Sequence, residues 1–424
     1  MQTIIANNYP IYFNENAYEH LNLFLKENKY SNLFIIVDSN TTDSCLPKFL
    51  PYLETDLTIE IVEFEAGEIN KNIETCIEIW NVLTELGADR KSLVINVGGG
   101  VVTDLGGFVA STFKRGVDFI HVPTTLLSMV DASVGGKNGV DLGNLKNQIG
   151  VINVPKMVLI DTAYLETLSQ SEMRSGLAEM LKHGLIYDKN YWEKFLDLTS
   201  IDFADFDVLI HRSVAIKNEI VMQDPTEKGI RKALNFGHTL GHAIESYFLE
   251  SKDKTTLLHG EAIAIGMILE SFISLKKGLI STAEYQQIKQ TINSIYDKIV
   301  FEENDLDPIL ELLIHDKKNE YGTIQFALIE GIGAIKINQL VNIRLANYPD
   351  REFGIIKGSI KAISLTPDKD GNVLIDVSLP KGLKTSYQKP IVFQQEMSGT
   401  ADIITEDLRL LERLLYQFRD IFNR

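Results

Sequence analysis

The 424-residue sequence predicts an α/β fold with a mainly α-helical second domain and an appended β-rich C-terminal module ending in a helix. Three observations carry that reading. Short β-branched runs alternate with helical patterns over about the first 150 residues, helical periodicity dominates from about residue 165, and strand-like runs return from about Lys336.

The elements follow in order. NLFIIVD (32–38) and SLVINVG (92–98) are short, apolar and bounded by turn residues, as buried parallel strands tend to be. TCIEIWNVLTELGADR (75–90) lies between them with helical period, and DFIHVPTTLL (118–127) and KMVLIDT (156–162) are further strand candidates. Ser169 and Glu172 form a capping box opening a helix that runs through Tyr187. Segments 204–222, 233–249, 260–277 and 281–298 also read as helices. In the tail, GIIKGSIKAISL and NVLIDVSLP are joined by turns such as KDGN. A last segment then carries Leu408, Leu411, Leu415, Phe418 and Phe422 on one face. The expected domains are 1–165, 166–335 and 336–424, with the active site between the first two.

Composition narrows the function. The 58 acidic residues outnumber 41 Lys and Arg, and the net charge of −17 argues against a nucleic-acid partner. An anionic substrate would require cations gathered in one cleft against that field. The N-terminus shows no basic, apolar leader, and no run approaches the roughly 20 apolar residues of a membrane-spanning helix. Cys45 and Cys76 form no ligand or disulfide pattern, which fits a reducing cytoplasm.

The motifs point to chemistry. GGGVVTDLGGF (98–108) follows a strand and should open a helix, where glycines and free amides can approach a pyrophosphate. It is not the G-x-G-x-x-G fingerprint, so a tight turn in a packed sheet is an equal alternative. Asp38, ending a strand before Ser39 and Asn40, can hold ribose hydroxyls. PTTLLSMVDASVGGKNGVDLGNLKNQIG (123–150) reads as a loop-like segment. Its Lys137, Lys146 and Asn147 suit anionic oxygens better than a solvated loop needs. LAEMLKHG (177–184) puts Glu179 and Lys182 on one helix face, a spacing that by itself favours a surface ion pair. LNFGHTLGHAIE (234–245) places His238 and His242 at i, i+4, a known zinc-pair spacing, and LLHGEAIAIGM (257–267) adds His259. Glu179 and two of these three histidines can complete a one-carboxylate, two-imidazole metal site.

Taken in order over about residues 30–335, GEINK, GGGVVTDLGGF, PTTLLSMVDASVGGKNGV, LKNQIG, SGLAEMLKHG, RKALNFGHTLGHAIE and LHGEAIAIGM resemble the 3-dehydroquinate synthase family. The resemblance implies a Rossmann-like dinucleotide-binding domain and a helical metal- and substrate-binding domain. It also implies a lyase that uses NAD and one divalent metal, zinc or cobalt. The implied reaction converts 3-deoxy-D-arabino-heptulosonate 7-phosphate to 3-dehydroquinate and phosphate in the shikimate pathway. By the same resemblance the metal ligands are Glu179, His238 and His259, while His242 becomes an acid/base and phosphate-contacting group. NAD contacts are Asp38, Asn40, Glu68, Lys71, Gly99, Gly100, Val101, Asp104, Thr124 and Thr125, with Lys146 near the substrate boundary and the turn Tyr164, Leu165, Glu166, Thr167. Substrate contacts are Asp131, Lys137, Asn147, Lys182, Lys217, Arg231 and Asn235, and Lys182, Lys217, Arg231 and Glu227 are also catalytic positions. One lysine of the DKK run, Lys317 or Lys318, reaches phosphate, Lys318 being taken into the substrate set. The family pattern further implies a cytoplasmic homodimer with no membrane partner.

Two departures stand inside the matched region: Thr103 before Asp104, where glycine is commoner, and Ser175, where a polar, often amide-bearing residue is expected. From about residue 336 the chain leaves the family. Its ANYP, EFGIIKG and QEMSGTADIITEDLRLLERL strings resemble the C-terminal part of HlyD-type membrane-fusion (periplasmic adaptor) proteins, without their anchor or hairpin. The rival readings are an inosose- or valiolone-type sugar-phosphate cyclase, a metal-dependent alcohol dehydrogenase with net NADH turnover, a binding or envelope-assembly protein, and a synthase-like chain inactivated by its fused tail.

Overall fold

The computed structural model describes residues 1–143, 145–198, 203–227, 229–251, 253–314, 326–336, 340–345, 355–363, 375–379, 382–387, 389–391 and 399–404. The chain divides into two compact units. One comprises Met1–Leu313 with Phe326–Ile335, the other Ile314–Gln325 with Lys336–Arg424.

The first unit begins with a seven-stranded sheet. Its strands are β1 (Ile4–Ala6), β2 (Tyr9–Phe13), β3 (Leu33–Asp38), β4 (Ile59–Phe64), β5 (Leu93–Gly98), β6 (Asp118–Pro123) and, after the hairpin β7 (Lys137–Leu142) and β8 (Leu145–Ile152), β9 (Val158–Ile160). The order is β1-β2-β9-β6-β5-β3-β4, with β1 antiparallel to β2 and the remaining pairs parallel. All six residues of β3 and of β5 are buried, which is why both read as continuous apolar runs. Three strands lie outside the sequence expectation. β1 and β2 are short and split by a turn at Asn8 (φ 68°), and β4 is an acidic edge strand whose exposed and buried positions alternate.

Helices α1 (Glu15–Glu27), α2 (Ser39–Ser44), α3 (Leu46–Phe49), α4 (Ile73–Glu85) and α5 (Gly100–Thr112) flank this sheet. Leu105, Phe108 and Val109 of α5 join Phe34, Ile36, Val62 and Val94 in one buried core, each such side chain contributing roughly 1.5–3 kcal/mol. From β3 the chain passes to β4 on one side and then to β5 on the other. The crevice outside Asp38 and Gly98 is therefore a topological switch point.

The 123–150 segment is more ordered than a loop. It holds a π-type turn at Ser128–Ala132 and the antiparallel hairpin β7–β8. Its period-2 signal is obscured by Gly143 (φ 56°), Asn147 (φ 50°) and a register shift between Val140 and Leu142.

The helical half comprises α6 (Gln170–Tyr187), α7 (Lys189–Glu193), α8 (Phe203–Gln223), α9 (His238–Glu250), α10 (His259–Lys276), α11 (Thr282–Ile295) and α12 (Glu303–Ile314), followed by a hairpin of β10 (Leu328–Gly331) and β11 (Ala334–Lys336). Ser169 Oγ accepts from Glu172 N at 3.2 Å, one half of the expected capping box. The expected helix 233–249 is broken. Ile230–Asn235 forms a 3-10 turn, and Gly237 at φ 78° resets the chain so that α9 starts at His238. Glu270 of α10, fully buried, accepts from Gly237 N (2.7 Å) and Leu240 N (3.2 Å) and thus caps α9 from another helix.

A buried polar pair crosses the parallel sheet. Asn96 on β5 lies opposite His121 on β6, with Asn96 Nδ2 3.2 Å from His121 Nδ1. Burial, opposed only by a hydrogen bond with Asn138, pushes the His121 pKa down to about 3. Between pH 6.5 and about 3 the unfolded chain therefore binds a proton here that the folded chain refuses, and stability falls as pH falls. The slope from this residue is up to about 1.4 kcal/mol per pH unit. Urea unfolding at pH 6.5 and pH 5 should show the native chain losing about 2 kcal/mol more than His121→Gln.

The second unit, by itself, is a four-stranded antiparallel sheet of β12 (Leu340–Leu345), β13 (Ile356–Ile363), β14 (Ile375–Ser378) and β15 (Gly399–Ile404), in the order β14-β13-β12-β15. The KDGN turn, the amphipathic face from Leu408 to Phe422, Lys317 and Lys318 fall outside the described residues. Among the described residues no helix is long and apolar enough to cross a membrane.

Candidate active site

Three helices supply the centre. Glu179 lies inside α6 and is fully buried, whereas His238 and His259 are the first residues of α9 and α10. Close backbone approach brings these elements together. A methyl group added at Gly260 would lie 2.6 Å from the Ser175 carbonyl carbon on α6, and one at Gly266 would lie 2.9 Å from Gly237 C and from Gly241 N. Ser175 Oγ accepts from Gly260 N at 3.0 Å, so its hydroxyl pins the start of α10 to α6.

The imidazoles converge on the carboxylate. His238 Nε2 is 3.3 Å and His259 Nε2 3.8 Å from Glu179 Oε1. Yet Oε1, buried, receives no aligned hydrogen bond. His238 Nδ1 lies 3.1 Å from the Phe236 carbonyl, which only accepts, so Nδ1 carries the proton and Nε2 presents its lone pair. His242 completes the group, its ring centroid 5.2 Å from that of His238 and 5.7 Å from that of His259. A carboxylate oxygen and imidazole nitrogens facing one point suit a divalent cation such as zinc. Asp131, Glu179 and His183 form a second acidic group, but ammonium ions already serve it. Lys217 Nζ is 2.7 Å and Lys182 Nζ 3.9 Å from Asp131 Oδ1, and Lys182 also bonds Glu179 Oε2. The histidine side is where a cation fits.

Electrostatics agree with the geometry. Burial disfavours ionised Glu179, but Lys182 and His238 outweigh it and hold the carboxyl well below the usual range. Burial likewise opposes charge on Asp131, and Lys217 overcomes it. Burial depresses His259, but Glu245 and Glu179 push its pKa up to about 10, so an arriving metal ion displaces a proton. Lys217 is lowered, because burial outweighs Asp131.

Beside this centre the expected cofactor residues follow the C-terminal ends of the parallel strands. Asp38 ends β3 and Asn40 follows it, Glu68 and Lys71 follow β4, Gly99, Gly100, Val101 and Asp104 follow β5, and Thr124 and Thr125 follow β6. Gly99 is the N-cap of α5 and offers no side-chain cap, leaving the first amides for a ligand. Thr103 turns its hydroxyl back to the Gly99 and Gly100 carbonyls, both at 3.2 Å. Asp38 uses Oδ1 to cap α2 through Thr41 N at 2.8 Å. Tyr164 and Leu165 are buried, so Glu166, Thr167 and the backbone form the accessible part of that turn.

Lys71 bonds Asp104 at 2.6 Å and Asn147 Oδ1 at 2.7 Å, which places Asn147 on the cofactor-side lysine. Lys146 meets Glu68 at 2.8 Å, with Asp141 and Glu245 both at 3.6 Å. Burial raises the Glu68 pKa, but Lys71 and Lys146 bring it down to about 2. Toward the other side, Glu227 (φ 59°) bonds Lys137 and accepts from Asn235 at 2.8 Å. Arg231, fully buried, donates to the Pro225 carbonyl (2.8 Å) and the Gly135 carbonyl (3.1 Å), and its Nε is without a partner. The local cations demanded by an acidic chain are therefore present. Glu245 closes the LNFGHTLGHAIE string, and Glu270 lies three residues beyond LLHGEAIAIGM. The signal for Glu245 was its position two helical turns after His238, on the same face.

The sequence matches the family models described as 3-dehydroquinate synthase N-terminal over residues 61–175 and 3-dehydroquinate synthase C-terminal over 176–319. It is also 43% identical over 339 residues to the 3-dehydroquinate synthase of Parabacteroides distasonis, covering 78% of this chain and 95% of that protein. The chain belongs to the 3-dehydroquinate synthase family. Two solved structures share the fold more distantly. A 2-deoxy-scyllo-inosose synthase complexed with carbaglucose-6-phosphate, NAD+ and Co2+ has a TM-score of 0.71 and 27% identity, covering 79% of this chain and 94% of that one. A 2-epi-5-epi-valiolone synthase from Streptomyces hygroscopicus subsp. jinggangensis, with NAD+ and Zn2+ bound, has a TM-score of 0.68 and 26% identity, covering the same 79% and 94%. Membership in the 3-dehydroquinate synthase family accounts for the fold of the first unit. The family models end at residue 319, before the β-sheet of the second unit.

Proposed function

We propose that this chain is a 3-dehydroquinate synthase, converting 3-deoxy-D-arabino-heptulosonate 7-phosphate to 3-dehydroquinate and inorganic phosphate in aromatic amino acid biosynthesis. The observation that carries the reading is the convergence of His238 and His259 on Glu179 Oε1, flanked by buried Lys182, Lys217 and Arg231. The greater likeness to dehydroquinate synthases than to the inosose and valiolone synthases supports this substrate over theirs.

Glu179, His238 and His259 would hold the metal; Asp38, Asn40, Glu68, Lys71, Gly99 to Val101, Asp104, Thr124, Thr125, Lys146 and the Tyr164–Thr167 turn would hold NAD. When bound, NAD supplies reversible oxidation of a substrate hydroxyl, and the metal supplies Lewis acidity at the oxygens of that carbon. Lys137, Arg231, Asn235 and Lys217 bind phosphate and carboxylate oxygens. Lys182 and Asp131 orient the substrate hydroxyls beside Glu179. Asn147 acts from the Lys71 side, and Lys318 is assigned to phosphate from the sequence. His242, next to the ligand imidazoles, and Glu227, bonded to Lys137 and Asn235, are placed to move protons during phosphate elimination and ring closure. The reaction returns NAD unchanged, so no NADH accumulates.

Residues 1–165 are assigned to cofactor binding and 166–335 to metal and substrate, in a cytoplasmic homodimer. For residues 336–424 the adaptor-like reading is kept. It rests on the ANYP, EFGIIKG and QEMSGTADIITEDLRLLERL strings and carries no export role.

Phosphate release from 3-deoxy-D-arabino-heptulosonate 7-phosphate, with NAD and zinc, tests the proposal. Dehydroquinate should form without net NADH, and His259→Ala should lower the rate by more than about 100-fold. Turnover only of an inosose- or valiolone-type substrate would overturn it.

A further inference from the structure

Glu245 belongs to neither the expected ligands nor the expected substrate contacts, yet it is nearly fully buried on α9, at 7% exposure. Both of its oxygens are engaged across element boundaries. Oε2 lies 3.1 Å from Nδ1 of His259 on α10, and Oε1 lies 3.6 Å from Lys146 Nζ on β8. Lys146 is itself anchored on Glu68 at 2.8 Å.

We infer that Glu245 is a positioning residue that holds the His259 imidazole, through Nδ1, with Nε2 aimed at the metal position beside Glu179. A carboxylate only accepts, so the proton of the neutral imidazole is kept on Nδ1 and the Nε2 lone pair faces Glu179 Oε1. His238 reaches the same tautomer through the Phe236 carbonyl, a neutral support from its own chain segment. Among the described residues, the support behind His259 Nδ1 is the Glu245 side chain, which is charged. Lys146 restrains the carboxylate from the opposite side, so the imidazole is fixed by a chain running from the cofactor rim to the metal position.

The inference rests on the proposed metal site, and the test separates the two. Co2+ affinity of the metal-free full chain is measured by chelator competition, together with the visible absorption of the Co2+ form at saturation. Glu245→Gln should weaken binding about 10- to 100-fold, with the absorption band of the saturated protein retained. Glu245→Asp, which keeps the charge on a shorter arm, should lose less and serves if the glutamine variant does not fold. Native-like affinity in Glu245→Gln would overturn the inference alone. A saturated variant without the native band would overturn it too, since Glu245 would then be holding the site together rather than orienting one ligand. No Co2+ binding by the native chain would overturn the metal site and the inference with it.

Discussion

Glu179→Gln is expected to abolish measurable turnover, lowering phosphate release by at least about 1,000-fold, which is about 4 kcal/mol. One carboxylate has two duties here. Its Oε1 is the anionic member of the group formed with His238 and His259, and its Oε2 neutralises Lys182. The amide cannot replace the charge toward a dication, and its NH2 group would face either the imidazole nitrogens or the ammonium. Breaking one side of a buried ion pair costs about 3–5 kcal/mol. Asp131, 3.9 Å from Lys182, remains as a partial partner and sets the loss of folding stability toward the low end. Three measurements on one preparation check this: phosphate release, Co2+ affinity by chelator competition, and urea unfolding. Turnover within tenfold of the native chain would remove Glu179 from the metal centre.

Gly266→Ala should be nearly as damaging, although it adds one methyl group and touches no charged residue. The new carbon would press on the Gly237 carbonyl and lie 2.9 Å from Gly241 N, where α10 crosses the start of α9. Overpacking of this kind costs about 1–3 kcal/mol. The strain falls on Gly237, whose φ of 78° and whose amide bond to Glu270 set where α9 begins. His238 is the next residue, so the shift separates the His238 imidazole from His259. The expected result is a loss of about 2 kcal/mol in urea unfolding together with at least about tenfold weaker Co2+ binding. A destabilised variant with native Co2+ affinity would show that the two helices do not set the spacing of the ligands.

Much of the fold could be read from local pattern. β3 and β5 stand out because strands buried on both faces are apolar without interruption. The starts of α5 and α6 stand out because Gly99 and Ser169 lie directly before them. β4 escapes the same reading because as an edge strand it carries Glu60 and Glu63, and β1 and β2 escape it because they are only three and five residues long. The β7–β8 hairpin escapes it because left-handed Asn147 and a register shift interrupt the alternation by which strands are recognised.

The site divides along the same line. The ordered motifs by themselves determined the residue types and the family, and through the family resemblance they pointed to a dinucleotide, a metal and the polar residues proposed for the site. The spacing of His238 and His242 suggested a metal pair, and nothing local could choose among the three histidines. Only tertiary structure decided which groups face one another: Glu179 against His238 and His259, Lys182 buried rather than on the surface, and Asn147 against Lys71. It also disclosed Glu245 and Glu270, which act on residues of other helices. The physical reason is that convergence depends on how closely α6, α9 and α10 approach. That distance is set by backbone contacts at Gly260 and Gly266, between segments far apart in the chain.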